Sequence, residues 1–131
     1  IKDNHVDYAG SMHAALEGVR DYLFVHELNI PVVVEVRDES EADEALNAAA
    51  IYQKPNGTRL VDRLLLDNHS PEQAAAQVLR LKGKIPLEAS GGITPENARA
   101  YALAGVDYIS MGWLTHSVPS LDLSLKSIDL P

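Results

Sequence analysis

Two rhythms of apolar residues alternate along the chain. Met12, Ala15, Leu16, Val19, Leu23 and Val25 fall at helical spacing, which predicts a helix over roughly Ser11 to Leu28. The unbroken β-branched run "IPVVVEV", Ile30 to Val36, is what a strand covered on both faces requires. A second helix is expected from Ser40, a good N-cap, through about Ala50. The Pro-Asn-Gly chemistry of Lys54 to Arg59 marks a loop, and "RLLLDN", Arg63 to Asn68, is the next strand. Ser70-Pro71-Glu72-Gln73 combines an N-cap, a proline at the first helical position and a capping-box glutamine. After the strand and turn "IPLEASGGI", Thr94-Pro95-Glu96 repeats that helix start, and "VDYISMGW", Val106 to Trp113, is the last strand. At the opposite end, "IKDNH" reads as the end of a strand.

Strands alternating with helices across short links predict parallel βαβ units, so the fold class is α/β. Every predicted strand ends in something polar: Asp3, Glu35, Asp67, Glu88 with Ser90, and Ser110 with Gly112. In (β/α) barrels that C-terminal rim carries the active site, and a whole barrel takes ~250 residues. Five strands do not close one. Residues 1–131 are therefore expected to be the C-terminal part of an open (β/α) barrel catalytic domain, with the rest of the barrel upstream of Ile1.

Composition narrows the function classes. The chain has 131 residues, 46% of them hydrophobic, enough for one ordinary core. Nineteen acidic against 11 basic residues give a net charge of -8, which argues against nucleic acid as a partner because phosphate contacts need a basic surface. There is no cysteine, so disulfides and thiolate metal sites do not enter. No apolar run approaches the ~20 residues that span a bilayer. The expectation is a cytoplasmic protein with no membrane partner.

Several residues are candidates for chemistry. Gly91-Gly92 follows a strand and precedes a helix start, so its backbone N–H groups form an anion site that glycine lets a phosphate approach closely. A plain strand-to-helix turn is the competing reading. Gly112 favours the first, because the last two strands of such barrels commonly share a phosphate site. Lys2 sits in a polar strand end, as a point charge for an anion or as half of a terminal ion pair. Glu35 interrupts "VVVEV", a costly place for a carboxylate without a partner or ligand. Asp67 ends "LLLD" and either faces a ligand or begins a turn. Two carboxylates and a lysine around a phosphate site suit a phosphorylated sugar, whose ribose hydroxyls can donate to the carboxylates, or the carboxylates can share a Mg²⁺ that keeps most of its waters. Alternation does not decide the face of Glu88. His13, His26 and His69 are expected at the surface, Tyr101 and Tyr108 in the core.

Taken in order, "IKDNH", "VVVEV", "LLLDN", "LEASGGIT" and "GVDYISMGWLTHSVPSLDLSL" resemble the C-terminal half of the decarboxylating quinolinate phosphoribosyltransferases, also called nicotinate-nucleotide pyrophosphorylases. The resemblance covers almost the whole chain. It implies an open α/β barrel preceded by an N-terminal domain, a homodimer or multiple of one, and the joining of quinolinate to 5-phosphoribosyl-1-pyrophosphate (PRPP) with Mg²⁺ in NAD biosynthesis. Position by position, it makes Lys2 substrate-binding, Glu35 and Asp67 the acidic pair near ribose and metal, and Ser90-Gly91-Gly92 and Met111-Gly112-Trp113 the loops that hold the 5′-phosphate. His116 takes a supporting role. Trp113 departs from the small residue usual in the family, and "YQKPNGTRLVDR" is longer than the link in many relatives. A related protein of the molybdate-transport type shares these motifs, and a non-catalytic phosphate-binding half-barrel is the alternative of another class.

Overall fold

Four parallel strands, β1 (Val33–Val36), β2 (Arg63–Asp67), β3 (Leu87–Ser90) and β4 (Tyr108–Ile109), lie side by side in chain order. Helices connect them: α3 (Glu39–Ile51), α4 (Pro71–Leu81) and α5 (Ala98–Ala104), with α1 (Asp3–Ala9) and α2 (Met12–Val25) before the sheet and the short α6 (Trp113–His116) after it. This computed structural model describes residues 1–117 and 119–127. The α/β class and the parallel pairing expected from the sequence are both present.

The pleat sorts the strands' residues onto two faces. Val34 and Val36, Leu64 and Leu66, and Leu87 and Ala89 share one face by register and are buried in the core. Helix α3 supplies Ala42, Ala45, Ala48 and Ala49 to that core, small residues that let a helix lie close to a sheet, and α4 supplies Ala74 and Leu81. On the opposite face run Val33 and Glu35, then Arg63, Leu65 and Asp67, then Glu88 and Ser90, then Tyr108. That face is polar and mostly half-buried within this chain.

Of "IKDNH", expected as a strand end, Ile1 continues the strand pairing and a helix follows at once. The Ile1 nitrogen donates to the Val33 carbonyl at 2.7 Å and the Glu35 N–H donates to the Ile1 carbonyl at 2.9 Å, so only Ile1 pairs with β1. Lys2 then caps α1, its N–H donating to His5 Nδ1 at 2.9 Å. Helix α1 has no apolar periodicity because Val6 alone of its residues is buried, and Gly10, at φ 87°, ends it. The last strand is shorter than expected. Its ladder runs from Asp107, bonded to Leu87 through both main chain and carboxylate, to Ser110, whose N–H reaches the Ala89 carbonyl. Tyr108 is half exposed on the polar face and not in the core, whereas Tyr101 is buried and donates from its hydroxyl to the His69 carbonyl. His69 is itself buried, contrary to the surface position expected for it, its Nδ1 3.0 Å from the Asp67 carbonyl oxygen.

Helix starts divide in the same way. Ser70 caps α4 as the motif predicts, accepting from the Gln73 N–H while Gln73 Oε1 accepts from the Ser70 N–H. Helix α3 begins two residues earlier than expected, because Asp38 Oδ1 takes the Glu41 N–H at 2.9 Å. Thr94 caps no helix directly. Asn97 Oδ1 accepts the Thr94 N–H at 2.9 Å and draws Thr94 to Asn97 into a turn ahead of α5. In the protein carrying this chain, Asp38→Ala should cost about 1 kcal/mol of stability, and Ser40→Ala should stay within about 0.5 kcal/mol. Urea unfolding of both variants checks this, and the reverse order would return the cap to Ser40.

Candidate functional site

Parallel strands deliver all their C-terminal ends to one rim, and register fixes the height of each side chain there. Glu35 stands level with Leu65 and Glu88, and Asp67 stands level with Ser90 on the next strand. Because β1 brackets Ile1 between Val33 and Glu35, Lys2 comes next in line beside Glu35. The Glu35 carboxylate is half-buried, and none of the ion pairs among the described residues involves it. Asp67 Oδ2 accepts a hydrogen bond from Asn68 Nδ2 at 2.8 Å.

Glu88 belongs to the same face, which settles what alternation left open, but its charge is already engaged. Buried below the rim, its Oε2 lies 2.7 Å from Arg63 Nε, and these two atoms have only each other as partners. Its Oε1 accepts from the Ser110 hydroxyl. The Arg63 guanidinium stacks 4.3 Å from the centre of the Tyr108 ring. A buried carboxylate needs such a partner, since an unpaired one would cost several kcal/mol.

The glycine turns line a cavity of about 490 Å³ together with Ser90, Ile93, Thr94, Ser110, Trp113, His116 and Ser117. The three glycines leave space for different occupants. At Gly91, φ 93°, an added Cβ would stand 2.7 Å from Asn68 Cγ. At Gly112 it would stand 2.8 Å from His116 Nε2, so the imidazole already fills that space. Only at Gly92, φ 60°, does a Cβ position meet nothing within 4 Å. Among the described residues, the N–H groups of Gly91, Gly92, Ile93, Gly112 and Trp113 have no protein acceptor, and all five residues line the cavity. Behind Gly92 the Thr94 to Asn97 turn, closed by the Asn97 and Ala98 N–H groups on the Thr94 carbonyl, leads into α5, so the regular helix starts later than expected and the free amides of the glycine turn make the anion-attracting surface. Beside the cavity, the Glu96 carboxyl is held below its usual range, first by the Thr94 hydroxyl and then by its own backbone N–H. A depressed carboxylate stabilises the turn at neutral pH, and that contribution disappears as acid protonates it.

The cavity therefore gathers Ser90, Gly91, Gly92, Gly112, Trp113 and His116, with Lys2, Glu35 and Asp67 on the adjoining polar face. Met111 is not among them. It is partly buried and packs against the hydrophobic core, because it follows Ser110 on the opposite side of the strand. Trp113 forms part of the cavity wall. The structure adds Arg63 and Asn68 to the site's surroundings and gives Ser110, already expected at the rim, the Glu88 carboxylate as its partner. Arg63 opens a strand and Asn68 follows an aspartate at a strand end, positions that the sequence reads as ordinary boundary chemistry.

Known proteins share this architecture. The family model described as "Quinolinate phosphoribosyl transferase, C-terminal domain" matches residues 1–126. A probable nicotinate-nucleotide pyrophosphorylase of Archaeoglobus fulgidus is 38% identical over 131 residues, covering 96% of this chain and 44% of that protein. The chloroplastic nicotinate-nucleotide pyrophosphorylase of Arabidopsis thaliana is 39% identical over 135 residues, covering 96% of this chain and 37% of that protein. The solved nicotinate-nucleotide pyrophosphorylase of Francisella tularensis superposes with a TM-score of 0.76 at 33% identity, over 95% of this chain and 39% of its own. NadC from Streptococcus pyogenes gives 0.71 at 34% identity, over 97% and 40%. The chain thus spans about two fifths of the length of these relatives. With the family's domain matched over residues 1–126 and its parallel sheet reproduced, the chain belongs to the quinolinate phosphoribosyltransferase family.

Proposed function

We propose that the protein carrying this chain transfers the phosphoribosyl group of PRPP to quinolinate, yielding nicotinate mononucleotide, pyrophosphate and carbon dioxide, and that residues 1–131 are the C-terminal part of its barrel. The observation that supports this most directly is a shared rim: two carboxylates on the polar face adjoin a cavity ringed by free backbone amides. The amides at Gly91, Gly92, Ile93 and Gly112 suit the 5′-phosphate, since N–H groups aimed at one opening bind an anion without a counter-charge of their own. Trp113 and His116 limit the size of the group admitted, and Lys2 beside Glu35 supplies a point charge for a carboxylate or phosphate.

Departure of pyrophosphate leaves positive charge on the ribose ring. Glu35 and Asp67 stabilise that charge where water is scarce, and no protein nucleophile is needed. Loss of carbon dioxide then draws on the positive ring nitrogen that the transfer itself creates.

The acidic residues also fit Mg²⁺. No group of three or more His, Asp or Glu side chains able to hold a metal ion occurs among the described residues. Two carboxylates acting with a ligand's phosphates match the way Mg²⁺ is ordinarily held, with Glu35 and Asp67 as the protein's share. Mg²⁺ would neutralise the departing pyrophosphate. The remaining cations for quinolinate's two carboxylates are proposed to come from outside these 131 residues, including from a second copy in a homodimer or larger homo-oligomer, and the setting to be the cytoplasm.

In the complete protein, Glu35→Gln and Asp67→Asn should each lower kcat/KM on the order of a hundredfold or more, while thermal unfolding shifts little. A product assay for nicotinate mononucleotide, run with and without Mg²⁺, measures this. Wild-type kinetics in both variants would remove the two acids from the mechanism. Sulfate supplied to crystals should sit against the Gly92 amide, and Gly92→Ala should raise KM for PRPP by filling the one open glycine space. Sulfate bound at Lys2 alone, with KM unchanged in Gly92→Ala, would move the phosphate site elsewhere.

A further inference from the structure

Asn68 holds an unusual conformation between two parts of the candidate site. Its φ is 50°, in the left-handed region that a side chain other than glycine enters only at some cost. Asparagine tolerates that region better than most residues, but here the residue also has three defined surroundings, one through its backbone and two through its side chain. The Asn68 N–H donates to the Ser90 carbonyl at 2.9 Å, tying the end of β2 to the end of β3. Its Nδ2 donates to Asp67 Oδ2 at 2.8 Å. The rest of its amide occupies the space that a side chain at residue 91 would need, with Cγ 2.7 Å and backbone N 3.0 Å from the position of an added Cβ.

Gly91 therefore lacks a side chain for the sake of Asn68, and the left-handed turn aims the Asn68 amide at the Asp67 carboxylate. A freely rotating Asp67 at a strand end would sample several staggered rotamers. The hydrogen bond selects among them, and because Asn68 is wedged against Gly91, the selection is coupled to the loop that rings the phosphate cavity.

We infer that Asn68 is a positioning residue that fixes the Asp67 carboxylate relative to the Gly91-Gly92 loop. The inference rests on the reading of Asp67 as an acid acting at the ribose. A carboxylate turned away from the reacting centre stabilises developing charge poorly even when substrate still binds, so the effect belongs in kcat more than in KM.

Asn68→Gly is the informative substitution, since glycine adopts φ 50° without strain and only the side chain's contacts are lost. In the complete protein it should leave thermal stability near wild type, lower kcat on the order of tenfold to a hundredfold, and change KM for PRPP by less than about threefold. Its crystal structure should show the Asp67 carboxylate rotated from its wild-type position. Gly91→Ala should lower the melting temperature less in the Asn68→Gly background than in wild type, since the clash with the Asn68 side chain is gone, leaving the contact with the residue 68 backbone N and the strain at φ 93°. A wild-type enzyme active on quinolinate, combined with unchanged kcat and an unmoved Asp67 in Asn68→Gly, would overturn the inference and leave the proposed function standing. A wild-type protein inactive on quinolinate would instead refute the proposed function, and the Asp67 rotamer together with the Gly91 coupling would still decide the positioning role. An unmoved carboxylate and additive substitutions would overturn it there.

Discussion

The in-register parallel pairing of β1, β2 and β3 is the constraint on which the site depends. In a pleated sheet, a residue's place in the ladder decides both its face and its height. Glu35, Leu65 and Glu88 share one level, and Asp67 and Ser90 share the next level toward the rim. A slip of one residue in β2 would turn Asp67 toward the helices and carry Leu64 and Leu66 out of the core. Burial of the valines and leucines on one face therefore holds the carboxylates in place on the other.

Features specified locally were the ones legible in the sequence. The Ser70 cap was readable because all its parts lie within four residues. Thr94-Pro95-Glu96 looks the same, and Asn97 Oδ1 takes the Thr94 N–H as Gln73 Oε1 takes that of Ser70, but among the described residues no N–H donates to the Thr94 hydroxyl and a turn precedes α5. Helix α1 was missed because it is short and buries one side chain, so it has no periodicity to detect. The rim of polar strand ends was visible, because a continuous apolar run broken by Glu35 or ended by Asp67 draws attention to a charge in costly surroundings. Met111 neighbours Gly112 in the chain, but its side chain packs against the core and lies outside the cavity lining, a difference that chain proximity does not reveal.

The glycines mark the boundary of what a sequence can say. "SGGI" and "MGW" reveal that side chains are missing, but what fills the space is a tertiary fact. Asn68 fills it at Gly91, His116 fills it at Gly112, and Gly92 alone faces open space. Two of the three glycines thus serve the protein's own side chains. Their effect on a ligand is indirect: they let neighbouring strand ends and α6 close round a ring of unbonded amides.

Arg63 shows how the charge balance of the polar face is kept. Glu35 and Glu88 stand at one level two strands apart, which in a sheet is about 10 Å, and Asp67 is a step above them. Three uncompensated carboxylates so close, on a half-buried face where salt screens weakly, would repel one another and any polyanion approaching the rim. Arg63 engages Glu88, and the Tyr108 ring backs the guanidinium with its π face. Of the three, the two carboxylates left outside ion pairs are Glu35 and Asp67. The deep acid is thus neutralised within the sheet, and its remaining oxygen holds Ser110 at the cavity's edge.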